Sequence, residues 1–278
     1  MSLPHRGTDK GEEGSVSQEG TQAIRRAAAI LQRIAHISDD TPATLRDISE
    51  SLDLPRSTAH RILKCLTETG LAAYNPATRR YEIGMLSYEL GLAVTDRALD
   101  LSPFAAAVDR IAERANVTTY LMRRSGVEAV CVHKAEGRTV IRVIPVEVGH
   151  RRFLGVGAGA TALLADLGDA ALERILTAIG PELHRYHDVS AESIRASVAE
   201  ARETGFAESR SKVYKSIYGL GKAITSRVPS SDLAISIAVH APDVDDALIA
   251  RWKAIISEEI QKVHDTRSPG AEGQATAG

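Results

Sequence analysis

Cysteine is nearly absent from this sequence. Only Cys65 and Cys131 occur among 278 residues, far apart and outside any CxxC pattern. A disulfide-rich scaffold needs several pairs, and a cysteine-based zinc site needs closely spaced ligands, so the sequence excludes both. Cys65 falls among the apolar residues of a predicted helix, and we expect both thiols to be buried and inert.

Long apolar runs are also missing. A helix that crosses a membrane needs about 20 consecutive apolar residues, and the chain has no such stretch. No basic segment followed by an apolar one marks a secretory signal. These absences predict a cytoplasmic protein without a membrane partner. The length of 278 residues, with 44% hydrophobic and 25% charged residues, suits a globular chain of two domains.

The signatures of common hydrolytic enzymes do not occur either. The nine histidines include His184 and His187, but no HExxH motif and no cysteines or carboxylates at metal-ligand spacing accompany them. The GxSxG motif of serine hydrolases is absent. We therefore predict no catalytic residues, no metal ion and no cofactor.

Residues 45–84 hold the most informative pattern in the chain, which starts with a short helix. Apolar residues recur at helical spacing within 44–52. The hydroxyl of Thr44 can accept a hydrogen bond from the amide of Asp47 and so cap this helix. A tight connection at 53–54 follows, so a second helix is expected to begin at once.

The second helix is predicted to begin near Pro55 and to end near Gly70. Proline suits the first helical turn because its missing N–H has no intrahelical partner there. The helical spacing buries one stripe of residues, Ala59, Ile62, Leu63 and Leu66. It leaves on or near the open face Arg56, Ser57, Thr58, His60, Arg61 and Lys64. Two short helices joined in this way form a helix-turn-helix, whose second helix enters the major groove of DNA.

A hairpin and a cluster of positive charge belong to the same stretch. Strands are predicted at 71–74 and 79–83 around a turn at 75–78. Over residues 55–81 the single acid Glu68 stands against five basic residues, Arg56, Arg61, Lys64, Arg79 and Arg80. Because the whole chain has a formal net charge of −2, this local excess predicts a polyanionic partner, double-stranded DNA. The hairpin is then a wing that brings its two arginines to the DNA backbone or minor groove.

Residues 21–84 resemble the winged helix-turn-helix domain of the IclR family of bacterial transcription regulators. The segment 24–31 resembles the first helix of that family, 54–63 its recognition helix and 81–84 the end of its wing. The resemblance continues weakly through nearly all of residues 100–265. It implies a repressor or activator that works as a dimer or tetramer and whose C-terminal domain binds a small effector.

The predicted DNA contacts lie on the amino-terminal helix, the recognition helix and the wing. They are Arg26, Arg56, Ser57, Thr58, His60, Arg61, Lys64, Arg79 and Arg80. We expect the side chains at the start of the recognition helix to approach bases or adjacent phosphates. Lys64 and the wing arginines are expected at the DNA backbone, where contacts position the protein without selecting a sequence.

The predicted organisation is a two-domain α+β protein. Its parts are a disordered tail at 1–20, the winged helix-turn-helix at 21–84, a linker helix at 85–99, an effector-binding domain at 100–265 and a disordered tail at 266–278. The tails are rich in Gly, Ser, Glu and small residues, a composition typical of disorder. Tyr88, Leu92 and Val94 give the linker helix an apolar side, which could pack against a domain or a second subunit.

The C-terminal domain is predicted to contain strands and helices without strict alternation. The expected strands are 117–122, 128–133, 139–146, 205–210, 220–227 and 233–240. The expected helices are 102–115, 158–167, 169–179, 191–204 and 243–264. This order indicates an α+β domain, and the family resemblance implies a GAF-like effector domain with a mainly antiparallel sheet.

A glycine-rich loop at 155–160 leads into the helix predicted at 158–167. Free amides at a helix N-terminus bind anions, and glycines let a ligand approach the backbone closely. The GxGxG spacing differs from the GxGxxG of dinucleotide sites, and no clear strand leads directly into it. From the residues alone, the loop is either an anion site or only a tight turn.

The family resemblance favours a pocket at this loop. It places Ala158 and Gly159 at the positions of the family's backbone donors, and it puts the facing wall on 219–224 and 236–240. The effector-binding residues predicted in this way are Gly157, Ala158, Gly159, Lys222, Ser236 and His240. Residues 236 and 240 share one face of their strand because side chains alternate.

The sequence departs from the family pattern near this pocket. Thr161 stands where the family commonly has a lysine, Lys222 stands where it usually has a small or uncharged residue, and the segment 209–218 is longer. An inward Lys222 would pair with a carboxylate, whereas a surface lysine is the more frequent case.

The sequence therefore predicts a transcription regulator, and its glycine-rich loop and Lys222 favour control by a small organic acid. The family resemblance implies an aromatic or short-chain carboxylate of a catabolic pathway. The expected assembly is a homodimer or homotetramer on a near-palindromic operator. The alternative is a DNA-binding protein whose C-terminal domain recruits a protein partner instead of sensing a metabolite.

Overall fold

The computed structural model describes residues 13–35, 43–98, 100–138, 146–186, 188–210, 216–225, 232–240 and 244–267. The chain divides into two compact units, Met1–Asp100 and Leu101–Gly278. Within the ranges given above, no helix is both long and apolar enough to cross a membrane.

The amino-terminal unit consists of helices and a two-stranded hairpin. Its helices are α1 (Glu13–Ala35), α2 (Leu45–Ser51), α3 (Arg56–Glu68) and α4 (Met85–Ala98), and its strands are β1 (Ala72–Asn75) and β2 (Arg80–Ile83). The predicted helix-turn-helix and wing are confirmed. The hydroxyl of Thr44 accepts a hydrogen bond from the amide of Asp47 at 3.3 Å. The Asp47 carboxylate accepts one from the Thr44 amide at 3.1 Å, so both ends of this cap are satisfied.

The core of this unit holds α3 against α1, α2 and β2. Ile48 and Leu63 are fully buried, as is Ala59. Leu66 is buried as predicted, whereas Ile62 is only half-buried. Each large apolar side chain buried here contributes about 1.5–3 kcal/mol. This packing fixes α3 through one stripe and leaves its opposite stripe open.

Two expectations about this unit are wrong. The helix α1 begins at Glu13, so residues 13–20, predicted as part of a disordered tail, are helical. Extending a formed helix adds one hydrogen bond for each residue ordered. Once the later apolar residues of α1 pack into the core, the helix can therefore extend over the polar residues that precede them. Cys65 is exposed rather than buried, because it follows Arg61 by one helical turn and shares its open stripe.

The base of the wing is fixed to the first turn of α4. The amide of Gly84 and the hydroxyl of Ser87 both donate to the carbonyl of Leu71, at 3.0 and 2.9 Å. A Cβ at Gly84 would lie 2.1 Å from the carbonyl oxygen of Gly70, so this junction requires glycine. Further along, α4 exposes Met85, Tyr88, Leu90 and Leu92. Val94 lies in the part of α4 whose side chains are outside the description.

The carboxy-terminal unit is an antiparallel sheet covered by helices on both faces. Its strands are β3 (Thr118–Ser125), β4 (Glu128–Ala135), β5 (Arg151–Phe153), β6 (Ala207–Arg210), β7 (Ile217–Ala223) and β8 (Leu233–His240). Its helices are α5 (Ser102–Ala115), α6 (Ala158–Ala165), α7 (Asp169–Ile179), α8 (Ala191–Thr204) and α9 (Asp246–Arg267). The strand order is β5-β4-β3-β8-β7-β6, and every neighbouring pair is antiparallel. The predicted α+β fold is confirmed.

Each face of this sheet carries a separate core. Met122 of β3 packs with residues of α6, α7 and α8, among them Leu164 and Ile194. Its neighbour Leu121 packs on the other face with residues of α5 and α9, among them Ile256. This division follows from the alternation of side chains along a strand.

Some sequence expectations fall outside the described residues. Of the strand predicted at 139–146, only Val146 is described. Of the tail predicted at 266–278, only the residues up to the end of α9 at Arg267 are described. The last two residues of α9 were expected to belong to that tail. The short strand β5 was not predicted, because three residues are too few for an alternating pattern.

A buried carboxylate joins α5 to α9. The side chain of Glu259 is fully buried, and it accepts hydrogen bonds from Lys262 Nζ at 2.8 Å, Arg110 Nε at 2.6 Å and Arg114 Nη1 at 2.5 Å. Burial alone would raise the pKa of the Glu259 carboxyl. The hydrogen bonds from Lys262, Arg110 and Arg114 outweigh that effect and lower the pKa to about 2. Glu259 therefore stays ionised at neutral pH and couples the two helices.

Candidate DNA-reading surface and ligand cavity

A groove runs between α3 and the wing in the amino-terminal unit, and we call it the reading groove. It is lined by Thr44, Leu45, Arg46, Arg56, His60, Lys64, Thr67, Glu68, Tyr74, Arg79 and Tyr81. Arg56, His60 and Lys64 follow one another at intervals of four residues, so a single stripe of α3 forms one side. Tyr74 and Arg79 belong to the wing side. The groove thus presents cationic and hydrogen-bonding groups from two elements.

The charge of the reading groove suits a polyanion. Arg46, Arg56, Lys64 and Arg79 contribute four cationic side chains, against the single carboxylate of Glu68 among the lining residues. Lys64 Nζ lies 3.7 Å from a Glu68 oxygen, but both side chains are more than 60% exposed. Such a pair contributes little to stability, so Lys64 can turn to a phosphate at small cost.

The structure brings only part of the predicted DNA contacts to this groove. Outside it lie Ser57 and Arg61, which are exposed on the neighbouring stripe of α3, and Thr58, Arg26 and Arg80, which are half-buried. Arg80 faces away because strand residues alternate and its neighbour Tyr81 lines the groove. Of the two wing arginines, only Arg79, in the turn with φ of 55°, reaches the groove.

Three lining residues with aromatic or cationic side chains were missed from the sequence, Tyr74, Tyr81 and Arg46. Tyr74 is paired with Tyr81 across the hairpin, and their ring centroids lie 4.9 Å apart. Alternation within β1 and β2 would have placed both tyrosines on one face. Arg46 on α2 forms an exposed ion pair with Glu50 at 2.8 Å, and its place in the groove depends on how α2 packs against α3.

A cavity of about 70 Å³ lies in the carboxy-terminal unit, and we call it the ligand cavity. It is lined by the start of α6, by β3, β7 and β8 and by parts of the chain before α6. Gly157 caps α6 with φ of 88°, a left-handed conformation that favours glycine. Ala158 and Gly159 follow, and the first amides of a helix have no intrahelical acceptor. The helix therefore begins at the cavity wall, as the glycine-rich loop suggests.

Close backbone packing determines the shape of this wall. A Cβ at Gly159 would lie 2.7 Å from the hydroxyl oxygen of Ser236. A Cβ at Gly221 on β7 would lie 2.5 Å from the carbonyl oxygen of Ala158. Since real side chains do not approach so closely, both glycines are needed for α6 to rest on the sheet. Thr161 supports the loop from behind by donating to the carbonyl of Gly155 at 3.1 Å.

The predicted effector-binding residues do not all meet here. Gly157, Ala158, Gly159 and Ser236 line the ligand cavity. Lys222, whose direction the sequence leaves open, is not part of the lining. Its neighbour Gly221 packs against α6, so strand alternation turns Lys222 to the opposite face of the sheet. His240 shares the face of Ser236, but it is exposed at the end of β8 and is not part of the lining.

Lys222 has its own partners on the far face. Its Nζ donates to the carbonyl of Gly205 at 3.3 Å and lies 4.4 Å from the centre of the Phe206 ring. Burial lowers the pKa of its ammonium group. Among the residues that the structure describes, a carbonyl and an aromatic face stabilise this half-buried cation, and no carboxylate pairs with it.

Tyr120 and Arg152 line the cavity and were missed from the sequence. Arg152 lies on β5 opposite Ala129 of β4, and Tyr120 lies on β3 opposite Ser236 of β8. Burial raises the pKa of the Tyr120 hydroxyl, so it stays a neutral phenol. These positions arise from strand pairings distant in sequence, which no local motif indicates.

The fold and the reading groove together define a class of protein, the DNA-binding transcription regulators. The chain belongs to the IclR family. Residues 23–76 match the IclR helix-turn-helix domain, and residues 98–264 match the C-terminal domain of bacterial IclR transcriptional regulators. The family resemblance seen in the sequence is confirmed.

Individual relatives agree with this assignment. The chain is 26% identical over 248 residues to the HTH-type transcriptional regulator XynR of Escherichia coli (strain K12). This match covers 87% of this chain and 93% of that protein. It has the fold of an IclR transcriptional regulator from Alicyclobacillus acidocaldarius, with a TM-score of 0.72, 22% identity and coverage of 89% and 99% of the two chains. It also has the fold of an IclR homolog from Microbacterium hydrocarbonoxydans complexed with 4-hydroxybenzoate, with a TM-score of 0.64, 18% identity and coverage of 87% and 99%. The chain is a transcription regulator and not an enzyme.

Proposed function

We propose that this regulator binds a near-palindromic operator as a homodimer or homotetramer, and that a small carboxylate in the ligand cavity changes its affinity for that operator. Arg56, Ser57, Thr58, His60 and Arg61 would lie at bases or adjacent phosphates, with Arg26, Lys64, Arg79 and Arg80 at the DNA backbone. Because its partner is chromosomal DNA, we place its action in the cytoplasm.

The ligand cavity is the observation that carries the effector part of this proposal. Its wall contains the start of α6, where free amides favour an anion, and it includes Ser236, whose side chain is buried. A structure of the same fold holds 4-hydroxybenzoate, itself a carboxylate. A domain that only recruits a protein partner would not need a cavity with polar groups, so a metabolite is favoured over that alternative.

The proposal is tested by measuring DNA binding and thermal stability in the presence of small acids. The DNA is a duplex isolated with the wild-type protein by selection from random sequences. We expect at least one carboxylate in a panel of aliphatic and aromatic acids to raise the unfolding midpoint, because a ligand bound only by the folded state stabilises it. The same compound should change operator affinity by about 5- to 150-fold, the usual range of coupling between two sites. Carboxylates that affect neither quantity would contradict the effector role.

The apolar side of α4 supports the proposed assembly. Met85, Tyr88 and Leu92 lie on one side of this helix, at spacings of three and four residues, and each is about half exposed or more. Exposed apolar groups in one region are typical of interaction surfaces. We propose that this side contacts a second copy of the chain. Replacing Tyr88 and Leu92 together by lysine should shift sedimentation from the oligomer toward the monomer, while Leu90→Lys on the opposite side of the same helix should not. Unchanged sedimentation of the double variant would contradict this use of α4.

A further inference from the structure

Lys222 differs from the other lysines that the structure describes. Within the described ranges it forms no ion pair, and its Nζ contacts the carbonyl of Gly205 and the face of the Phe206 ring. Each of the others pairs with at least one carboxylate at 3.7 Å or less, namely Lys64, Lys134, Lys253 and Lys262. A carboxylate stabilises the charged form of a lysine more than a neutral carbonyl does. Of these five side chains, Lys222 therefore has the least stabilised ammonium form.

The surroundings of Lys222 also favour its neutral amine. The residue is half-buried, and burial lowers the pKa of its ammonium group. A second cation lies close by, because the Nζ of Lys253 is 5.6 Å from the centre of the same Phe206 ring. The carboxylate of Glu208 lies 2.8 Å from Lys253 and so stabilises that lysine. Lys222 thus holds more of its amine in the neutral form than a paired lysine does.

A neutral lysine amine is a nucleophile, whereas an ammonium group is not, because its lone pair is protonated. Partial desolvation and a neighbouring cation are two ways in which proteins activate such an amine. The charges near Lys222 also favour an anionic reagent. Around the carboxylate of Glu208 lie Arg210 and Lys253, at 3.3 and 2.8 Å, and Lys222 adds a third cationic group beside them. This excess of positive charge attracts anions.

We propose that Lys222 is a site of acylation and that the acyl donor is an acyl phosphate. The lone pair of Nζ forms a bond to the carbonyl carbon of the donor, and the bond from that carbon to the phosphate oxygen breaks. Inorganic phosphate leaves with the electron pair, and the nitrogen releases one proton to water. The product is an amide without charge, whose remaining N–H can still donate to Gly205. This inference does not depend on the proposed effector function.

Acylation at this position would change the charge at the end of a helix. Gly205 is the C-cap of α8, and a cation stabilises the C-terminal end of a helix. The adjacent residue Gly221 packs against Ala158 at the ligand cavity. The modification would therefore lie behind one wall of that cavity, on the opposite face of the sheet.

The test treats the full-length protein with acetyl phosphate and follows acetylation of each lysine over time by peptide mass spectrometry. Lys222 should be acetylated at least about threefold faster than the paired lysines Lys64, Lys253 and Lys262, because the rate follows the neutral fraction of the amine. In concentrated urea the lysines lose their separate surroundings, so the four rates should become similar. Equal rates in the folded protein would overturn the proposal. So would a preference for Lys222 that persists in urea, because its origin would then lie outside the fold.

Glu208→Gln is the matched variant. It removes the carboxylate from Lys253 and leaves the contacts of Lys222 with Gly205 and Phe206 in place. Lys253 should then be acetylated about threefold or more faster than in the wild type, while Lys64 in the other unit should not change. Circular dichroism checks that the variant is folded, and the comparison of native with unfolded wild type needs no variant. An unchanged rate at Lys253 in folded Glu208→Gln would contradict the argument that a missing carboxylate makes Lys222 reactive.

Discussion

Replacing Glu259 by glutamine should lower the free energy of unfolding of the carboxy-terminal unit by about 2 kcal/mol. The substitution leaves three cationic groups, on Arg110, Arg114 and Lys262, without their shared carboxylate. Breaking a fully buried pair costs about 3–5 kcal/mol, but these cations are 37–53% exposed and water can solvate them in part. The expected loss is therefore below that range, yet still a large fraction of the stability of a domain.

The effect of this substitution should depend on pH in a defined direction. The folded-state pKa of Glu259 is about 2, against an ordinary value near 4.3 in an unfolded chain. A carboxyl whose pKa is lowered by folding stabilises the protein above the unfolded value and loses that effect as pH falls through the folded value. The difference in stability between wild type and Glu259→Gln should thus be full at pH 6 and shrink steadily from about pH 5 toward pH 2.

Urea unfolding followed by tryptophan fluorescence measures the free energy of unfolding and so tests this prediction. Trp252 is the only tryptophan of the chain, and it is buried in the core between the sheet and α9, so the signal reports the unit that contains Glu259. Glu258→Gln serves as the control, because Glu258 also pairs with Arg114 but its side chain is 53% exposed. That variant should lose less than about 1 kcal/mol. A Glu259→Gln variant as stable as Glu258→Gln at pH 6 would refute the structural role of the buried carboxylate.

Features determined by local sequence could be predicted well, and the reading groove shows this. The cap of α2 depends on Thr44 and Asp47 alone, and the stripe of Arg56, His60 and Lys64 follows from helical periodicity. The exposure of Cys65 was also available from that periodicity, one turn after Arg61. Burial was predicted for Cys65 because its neighbours in the sequence are apolar.

The ligand cavity required knowledge that a local pattern does not contain. Arg152 enters it through a three-residue strand, and its pairing with Ala129 joins segments more than twenty residues apart. The direction of Lys222 stays open in the sequence analysis, although the residues beside Lys222 indicate it. Gly219 and Gly221 are the residues that admit α6 to the sheet, so the residue beside them must point the other way.

The second large effect is expected at the DNA surface, where Arg56→Ala should weaken binding to the selected operator by about 10- to 100-fold. Arg56 is the first residue of α3, is exposed and lines the reading groove. The start of a recognition helix is the part that reaches base edges, and an arginine there can donate two hydrogen bonds to a guanine. Loss of such a bidentate contact removes about 1–3 kcal/mol of discrimination.

Comparison of two duplexes at one salt concentration separates base reading from charge. If Arg56 reads a base, the alanine variant loses far more affinity for the operator than for a random duplex of equal length. Arg80→Ala removes the same charge from the wing, outside the reading groove, and should weaken both duplexes alike or not at all. Because each phosphate contact releases counterions, a loss of charge alone also lowers the salt dependence on both duplexes by the same amount. Equal losses on operator and random DNA for Arg56→Ala would show that Arg56 contacts phosphate. The base contacts would then be assigned to His60 and to the exposed residues Ser57 and Arg61.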